Sequence, residues 1–193
     1  MTKNILMFSQ NEIRDLIISV LVLALVFSQY NLSLLLVTLF IVIIVFVSHE
    51  ILGHKFVAQH YGFDAEYKIW PLGLVLGLIT ALIPGGFVIA APGATYINPY
   101  KKGFAFRVGT LSKRQYAIIS LAGPLVNIAF AVSLLALNFY YAFDLFLLTA
   151  RISFFLAFFN LLPIPPLDGS KIISWNLPVW VVVTAIAFAG LFI

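Results

Sequence analysis

The sequence contains no cysteine and few charged side chains. Of its 193 residues, 9% are charged and 63% are hydrophobic. The lack of cysteine excludes a disulfide framework, a thiolate nucleophile and a thiolate metal site. Soluble domains are about 25% charged and roughly 45–50% apolar, so this composition excludes an ordinary soluble domain and predicts a polytopic membrane protein.

Acidic residues are also scarce, since seven Asp and Glu stand against eleven Lys and Arg and give a net charge of +4. The basic residues fall in short loops rather than on one basic face, so nucleic acid is not expected as a partner. Five of them occupy one loop without an acidic residue, namely Lys101, Lys102, Arg107, Lys113 and Arg114. Because cytoplasmic loops carry an excess of basic residues, this loop is predicted to be cytoplasmic.

The apolar residues form five or six segments, at 16–30, 32–62, 70–97, 116–140, 143–162 and 177–193. A membrane-crossing helix needs about 20 residues, and the segment at 70–97 is interrupted by many Pro and Gly residues. Its sequence Pro84-Gly85-Gly86 is typical of the tip of a re-entrant hairpin. The predicted fold class is an all-α polytopic membrane protein, with about five or six transmembrane helices and a re-entrant or β-hairpin element between the second and third core spans.

Ionisable residues interrupt the second apolar segment near its end. The stretch 48–54 reads Ser-His-Glu-Ile-Leu-Gly-His and contains His49, Glu50 and His54. Ionisable groups are costly inside a bilayer, and they usually mark a functional site. Two imidazoles and a carboxylate in one stretch are typical of a zinc hydrolase, in which the histidines hold the metal and the carboxylate activates water. The alternative is that these histidines are interfacial residues near a helix end.

The spacing of the two histidines differs by one residue from the usual H-E-x-x-H pattern. On a regular α-helix, residues five apart point about 140° away from each other, so His49 and His54 would not bind one ion. A π-bulge absorbs one extra residue in a single wide turn, and Gly53 would ease it because it has no side chain. Two alternatives stay open. Either Glu50 and His54, four apart, are ligands without His49, or the site is inactive.

Three stretches of the chain resemble the site-2 protease family of intramembrane zinc metalloproteases. They are residues 48–54, the sequence Gly-Pro-Leu-Val-Asn at 123–127, and Asn-Leu-Leu-Pro-Ile-Pro-Pro-Leu-Asp-Gly at 160–169. The third stretch is the most specific, because the aspartate of the corresponding family segment is the third zinc ligand. Together they cover most of the chain, roughly residues 32–175.

The resemblance implies a set of site residues. His49, His54 and Asp168 would be the zinc ligands, and Glu50 would be the general base. Asn127 and Asn160 would lie near the active centre, where they orient the substrate backbone or stabilise the oxyanion. The whole chain, 1–193, is expected to form one integral-membrane domain, with a metal-binding core at about 32–175 and peripheral helices at 1–31 and 176–193.

The predicted function is hydrolysis of peptide bonds in transmembrane or signal-peptide-like protein substrates near the cytoplasmic face, with Zn²⁺ as cofactor. The protein is expected to be a multi-pass protein of the cell membrane, in contact with the lipid bilayer; homo-oligomerisation is left open. The sequence Gly-Gly-Phe-Val-Ile at 85–89 is expected to offer a strand edge to the unwound substrate. Two other functions compete, an inactive family member that binds membrane helices and a small ion or proton transporter.

Overall fold

Helices make up most of the part of the chain that the computed structural model describes, residues 8–83, 88–101 and 110–193. The α-helices are α1 (Gln10–Phe27), α2 (Leu32–Ser48), α3 (Phe56–His60), α4 (Pro71–Thr80), α5 (Lys113–Tyr141), α6 (Asp144–Asn160), α7 (Asp168–Trp175) and α8 (Leu177–Ala189). A π-helix (His49–Lys55) joins α2 to α3, and a 3₁₀ turn (Gly190–Phe192) follows α8. The described strands are β1 (Phe63–Ile69) and β2 (Gly93–Lys101).

Local sequence signals determine where the longest helices begin. Asn31 caps α2, because its side chain accepts a hydrogen bond from the N–H of Ser33 at 2.9 Å. At the start of α5, Ser112 and Gln115 form a capping box, in which each side chain accepts from the backbone N–H of the other. These caps satisfy backbone N–H groups that have no partner inside the helix.

Within the described part of the chain, two helical runs are long and apolar enough to cross a membrane. One is the continuous run of α2, the π-helix and α3, Leu32–His60, and the other is α5, Lys113–Tyr141; each has 29 residues. The spans predicted at 32–62 and 116–140 are therefore confirmed as helices of sufficient length. The total of five or six spans stays a prediction. So does the re-entrant hairpin, whose predicted tip at 84–86 lies outside the described residues.

A two-stranded antiparallel sheet lies in the chain between these two long runs, with Tyr67 of β1 opposite Thr95 of β2. The expectation of an all-α fold is wrong in this respect, although the sheet falls where a re-entrant or β-hairpin element was expected. The physical reason is a period of two in β1. Phe63, Ala65 and Tyr67 are buried and alternate with less buried residues, as in a strand with one face on a core.

Helix α1 covers the edge of β1 that faces away from β2. The N–H of Tyr67 donates to Glu12 Oε1 at 3.1 Å, and the N–H of Ile69 donates to Asp15 Oδ2 at 3.2 Å. Glu12 also accepts from the Lys55 ammonium, and both side chains are buried. Because a buried charge is costly unless it is paired, this ion pair holds α1, the sheet and the end of the π-helix together.

The two larger hydrophobic cores among the described residues support the helices around the π-helix. The first lies between α1, α2 and α6 and includes Leu23, Val42 and Leu156. The second lies among α5, α6, α7 and α8, and it contains Phe154 and Ile172. Because Ile172 is fully buried, it holds the short helix α7 in place, and Asp168 is the first residue of that helix.

Candidate metal centre

The seven residues His49–Lys55 form a π-helix inside the longer helical run. At its end, the N–H of Phe56 donates to the carbonyl of Ile51, five residues earlier. In this pattern residues five apart come to lie on one face, whereas on an α-helix they do not. The prediction of a π-bulge at the histidine motif is therefore confirmed, and the extra residue no longer separates His49 from His54.

Gly53 lies at a close contact between the π-helix and α5. A Cβ atom at position 53 would lie 2.5 Å from the Cα of Gly123 in α5, a distance that real Cβ atoms do not adopt. The backbones of the π-helix and α5 therefore approach each other through two glycines. This close packing brings α5 directly onto the histidine pair.

The two imidazole rings lie nearly perpendicular to each other and bring their Nε2 atoms together across a short gap. Nε2 of His54 lies 3.1 Å from Nε2 of His49, and both side chains are buried. Nδ1 of His54 lies 2.8 Å from the carbonyl oxygen of Ile119. Because a carbonyl only accepts, Nδ1 of His54 carries the hydrogen, and in the neutral ring Nε2 keeps a free lone pair.

Asp168 brings a carboxylate to the same gap from a distant part of the chain. Its Oδ2 lies 3.1 Å from Nε2 of His54 and 3.7 Å from Nε2 of His49. Its other oxygen, Oδ1, accepts from the Lys171 ammonium at 3.4 Å. Burial alone would raise the pKa of Asp168, but the neighbouring His54, His49 and Lys171 together outweigh burial and hold this pKa well below its usual range. The carboxylate is therefore charged at neutral pH.

This donor set fits a tetrahedral zinc ion. Ligand atoms about 2.0–2.1 Å from a tetrahedral ion are roughly 3.3 Å apart, and the three separations here are 3.1, 3.1 and 3.7 Å. Among the described residues, His49, His54 and Asp168 are the group of His, Asp and Glu side chains able to hold a metal ion. Two imidazoles and one carboxylate leave the fourth position free, as catalytic zinc sites require.

The backbone of α5 leaves space for an ion between the rings. A methyl group at Gly123 would lie 2.5 Å from Nε2 of His54 and 2.7 Å from Nε2 of His49. It would therefore fill the gap towards which the three ligand atoms point. Glycine at this position keeps that gap open.

Two comparisons with known proteins bear on this site. Residues 138–181 match the family described as Peptidase family M50. A protein of Methanocaldococcus jannaschii named "Putative zinc metalloprotease MJ0611" is 40% identical over 187 residues, which cover 93% of this chain and 92% of that protein. The chain belongs to peptidase family M50. No solved structure matches it significantly.

Membership of family M50 confirms the resemblance to the site-2 protease family and the predicted enzyme class, a zinc metalloprotease. The family consists of membrane proteases, in agreement with the two long apolar helices. The matched residues 138–181 include Asn160 and Asp168. The roles of individual residues stay predictions.

The other predicted site residues of this M50 peptidase lie at different distances from the three predicted metal ligands. Glu50 is buried and lines a pocket together with His54, Asn160 and Asp168. Asn127 is fully buried, and its amide group lies 3.1 Å from Nδ1 of His49. Asn160 donates from Nδ2 to the carbonyl of Leu156 in its own helix at 2.9 Å. Asn127 thus contacts a predicted ligand, whereas Asn160 faces the pocket.

Sequence reasoning missed Thr95 and Lys171. Thr95 donates from Oγ1 to Glu50 Oε2 at 2.7 Å, and Lys171 contacts Asp168. Lys171 follows Asp168 by three residues, so helical spacing in α7 could have found it. Nothing in the sequence around Thr95 marks it, because threonine is an ordinary residue of a β-strand.

Deletion of Leu52 tests whether the π-helix merely accommodates the extra residue or whether the site needs that residue. Leu52 is 54% exposed, and its removal restores H-E-x-x-H spacing, so an α-helical turn can replace the π-turn with both flanks in place. We expect the deletion variant to fold and to retain zinc, with activity within about tenfold of wild type. Metal analysis measures the zinc content of the variant, and its cleavage rate measures the activity.

Deletion of Leu36 is the control, because this exposed residue of α2 has no wide turn beside it to absorb the loss. We expect that variant to be destabilised, since residues before position 36 rotate relative to the core. Loss of zinc from the Leu52 deletion would show that the site needs the extra residue. A large rise in its activity would show that the natural turn misplaces His54.

Proposed function

We propose that this M50 peptidase hydrolyses peptide bonds of transmembrane or signal-peptide-like protein substrates near the cytoplasmic face of the cell membrane. The observation that supports this most strongly is the convergence of His49, His54 and Asp168 beside Glu50, at the end of an apolar helix. This buried trio directs three possible ligand atoms at one gap, and ionisable groups in an apolar membrane-length helix usually mark a functional site.

His49, His54 and Asp168 would hold the zinc ion, the two histidines through Nε2 and the aspartate through Oδ2. The chemistry that zinc supplies when bound is polarisation of the scissile carbonyl and activation of water. Glu50 would take the proton from the attacking water and deliver it to the leaving amine. Its burial beside the ligands, without being one of them, suits this role.

Asn127 would act on His49 rather than on substrate, since it is fully buried. Its Oδ1 is buried and has no hydrogen-bond partner among the described residues. Rotation of the amide by 180° exchanges its oxygen and nitrogen, and this would place Oδ1 against Nδ1 of His49. An Nδ1–H donated to that oxygen leaves Nε2 free to bind metal, as metal-binding histidines require.

Asn160 is the polar residue placed to contact substrate, because it lines the pocket and is not fully buried. A substrate helix has all its carbonyls hydrogen-bonded, so it must unwind before attack. The half-buried amide of Asn160 could then bind a freed backbone group. Helix-breaking residues in the substrate would lower the cost of unwinding.

The outer edge of β2 is a suitable place for the unwound substrate. Because the N–H groups of Tyr67 and Ile69 point towards α1, the residues opposite them, Thr95 and Gly93, turn their own backbone groups away from β1. Gly93 and Thr95 line the same pocket as Glu50. Of the strand edge expected at 85–89, residues 88 and 89 are not in a strand, and residues 85–87 lie outside the described residues.

The test is cleavage of a single-span substrate by the purified protein in lipid vesicles, together with metal analysis. We expect bound zinc in the wild type, loss of cleavage on chelation and recovery when zinc is returned. Alanine at His49, His54 or Asp168 should weaken zinc binding by more than the roughly 10–100-fold that loss of an outer-shell partner costs. His60→Ala is the matched control, because His60 is exposed and outside the trio.

Four results would contradict the proposal. Wild-type protein without zinc, or cleavage that survives chelation, would exclude a zinc protease. Capture of single-span peptides without cleavage would favour the inactive binder. Ion flux through the vesicles that chelators leave unchanged would favour the transporter.

A further inference from the structure

A hydroxyl from the sheet reaches the carboxylate of Glu50. Thr95 stands in β2, and its Oγ1 donates to Glu50 Oε2 at 2.7 Å. The length is that of a good O–H···O hydrogen bond. Glu50 is only 4% exposed, so water competes little with this donor.

Contacts other than this hydrogen bond hold the elements that carry the two residues. Glu50 is part of the π-helix, which packs on α5 through Gly53. Thr95 is opposite Tyr67 in the sheet, and the backbone of Tyr67 is bonded to Glu12 of α1. The hydrogen bond therefore joins a rigid strand to a side chain that otherwise rotates about three bonds.

We propose that Thr95 is a positioning residue, which holds Oε2 of Glu50 so that Oε1 faces the attacking water. The inference rests on the proposed function, in which Glu50 is the general base. A carboxylate base that rotates freely is often not aligned with the attacking water. Small displacements of a reacting group cost a large part of the rate. The backbone of Thr95 also faces the edge proposed for the substrate, so one residue would set the position of both base and substrate.

The main test compares Thr95→Val with Thr95→Ser. Valine keeps the branched shape and strand preference of threonine but removes the hydroxyl, whereas serine keeps the hydroxyl. We expect Thr95→Val to lower kcat by about 10–100-fold, the usual cost of losing such a supporting contact. KM and zinc content should not change, and Thr95→Ser should recover kcat to within about threefold of wild type.

Thr149→Val is the matched control. It also removes the hydroxyl of a buried threonine, but Thr149 bonds only to the carbonyl of Leu145 in α6 among its described contacts. We expect its kcat to equal that of wild type. If thermal unfolding shows that Thr95→Val is poorly folded, Thr95→Ala takes its place, with the same expected loss of kcat.

A double variant shows whether Thr95 acts through Glu50. In a Glu50→Gln background, Thr95→Val should cause little further loss, because residues that act as a unit are not additive. The positioning role is overturned by unchanged kcat in Thr95→Val, by an equal loss in Thr95→Ser, by loss of zinc, or by a full additional loss in the double variant. If Glu50→Gln itself retains full activity, the proposed function fails instead.

Discussion

Replacement of Glu50 by glutamine will leave zinc bound and lower kcat by about 10²–10⁴-fold, the range that general acid–base catalysis contributes. Glutamine has the size of glutamate but cannot take a proton from water. This loss corresponds to roughly 3–5 kcal/mol of activation free energy. Single-turnover cleavage and metal analysis on the same preparation measure both quantities.

Zinc should stay because Glu50 is not one of the three side chains that meet at the gap. Its carboxylate is instead engaged by Thr95, and a glutamine oxygen can still accept from that hydroxyl. KM should change little, because the proton is transferred only in the chemical step.

Glu66→Gln is the matched control for this loss of charge. Glu66 lies on β1, its side chain is 37% exposed, and its partners are Ser9 and Lys68. We expect this variant to keep both zinc and kcat. If Glu50→Gln lost zinc instead, Glu50 would be a ligand, and the alternative in which His49 takes no part would be correct.

Much of the fold could be predicted because bilayer crossing imposes simple rules. The helices at 32–60 and 113–141 follow from apolar runs of sufficient length, and the caps at Asn31 and Ser112 place their starts. The sheet was harder to predict from the sequence. Its strand β1 has a clear alternation of buried residues, but β2 is paired across the chain, and no local signal fixes a register between distant segments.

The site was predictable where chemistry restricts residue type. Two histidines and a glutamate in an apolar helix indicate metal hydrolysis, and the i to i+5 spacing required a π-turn, which the structure contains. The resemblance added Asp168, which lies far from His54 in the sequence. The hydrogen bond from Thr95 to Glu50 and the space that Gly123 leaves beside the histidines could not be predicted, because both depend on how separate elements pack.

Gly123→Ala is expected to remove zinc and, with it, all measurable cleavage. The added methyl group would lie 2.5 Å from both Cε1 and Nε2 of His54 and 2.7 Å from Nε2 of His49. These distances are well below ordinary contact, so the rings must move apart or the methyl group must take the place of the ion. After either change, the ligand atoms could not all lie about 2.0–2.1 Å from one zinc ion.

Retreat of the α5 backbone from the histidines is opposed by its packing against α6, α7 and α8 in the second hydrophobic core. The π-helix already contacts α5 through Gly53, whose own Cβ would lie 2.5 Å from the Cα of Gly123. A closely packed interface transmits strain instead of absorbing it. The effect should therefore fall on the histidine rotamers, and zinc affinity should drop by more than the roughly 10–100-fold typical of outer-shell changes.

Ser133→Thr provides the comparison, because it adds one methyl group to the same helix on its exposed face. That variant should bind zinc and cleave substrate as wild type does. Metal analysis, cleavage and thermal unfolding together separate loss of the ion from loss of the fold. If Gly123→Ala retained full zinc occupancy, the gap between the rings would not be the metal position, and the assignment of His49, His54 and Asp168 as ligands would have to be abandoned.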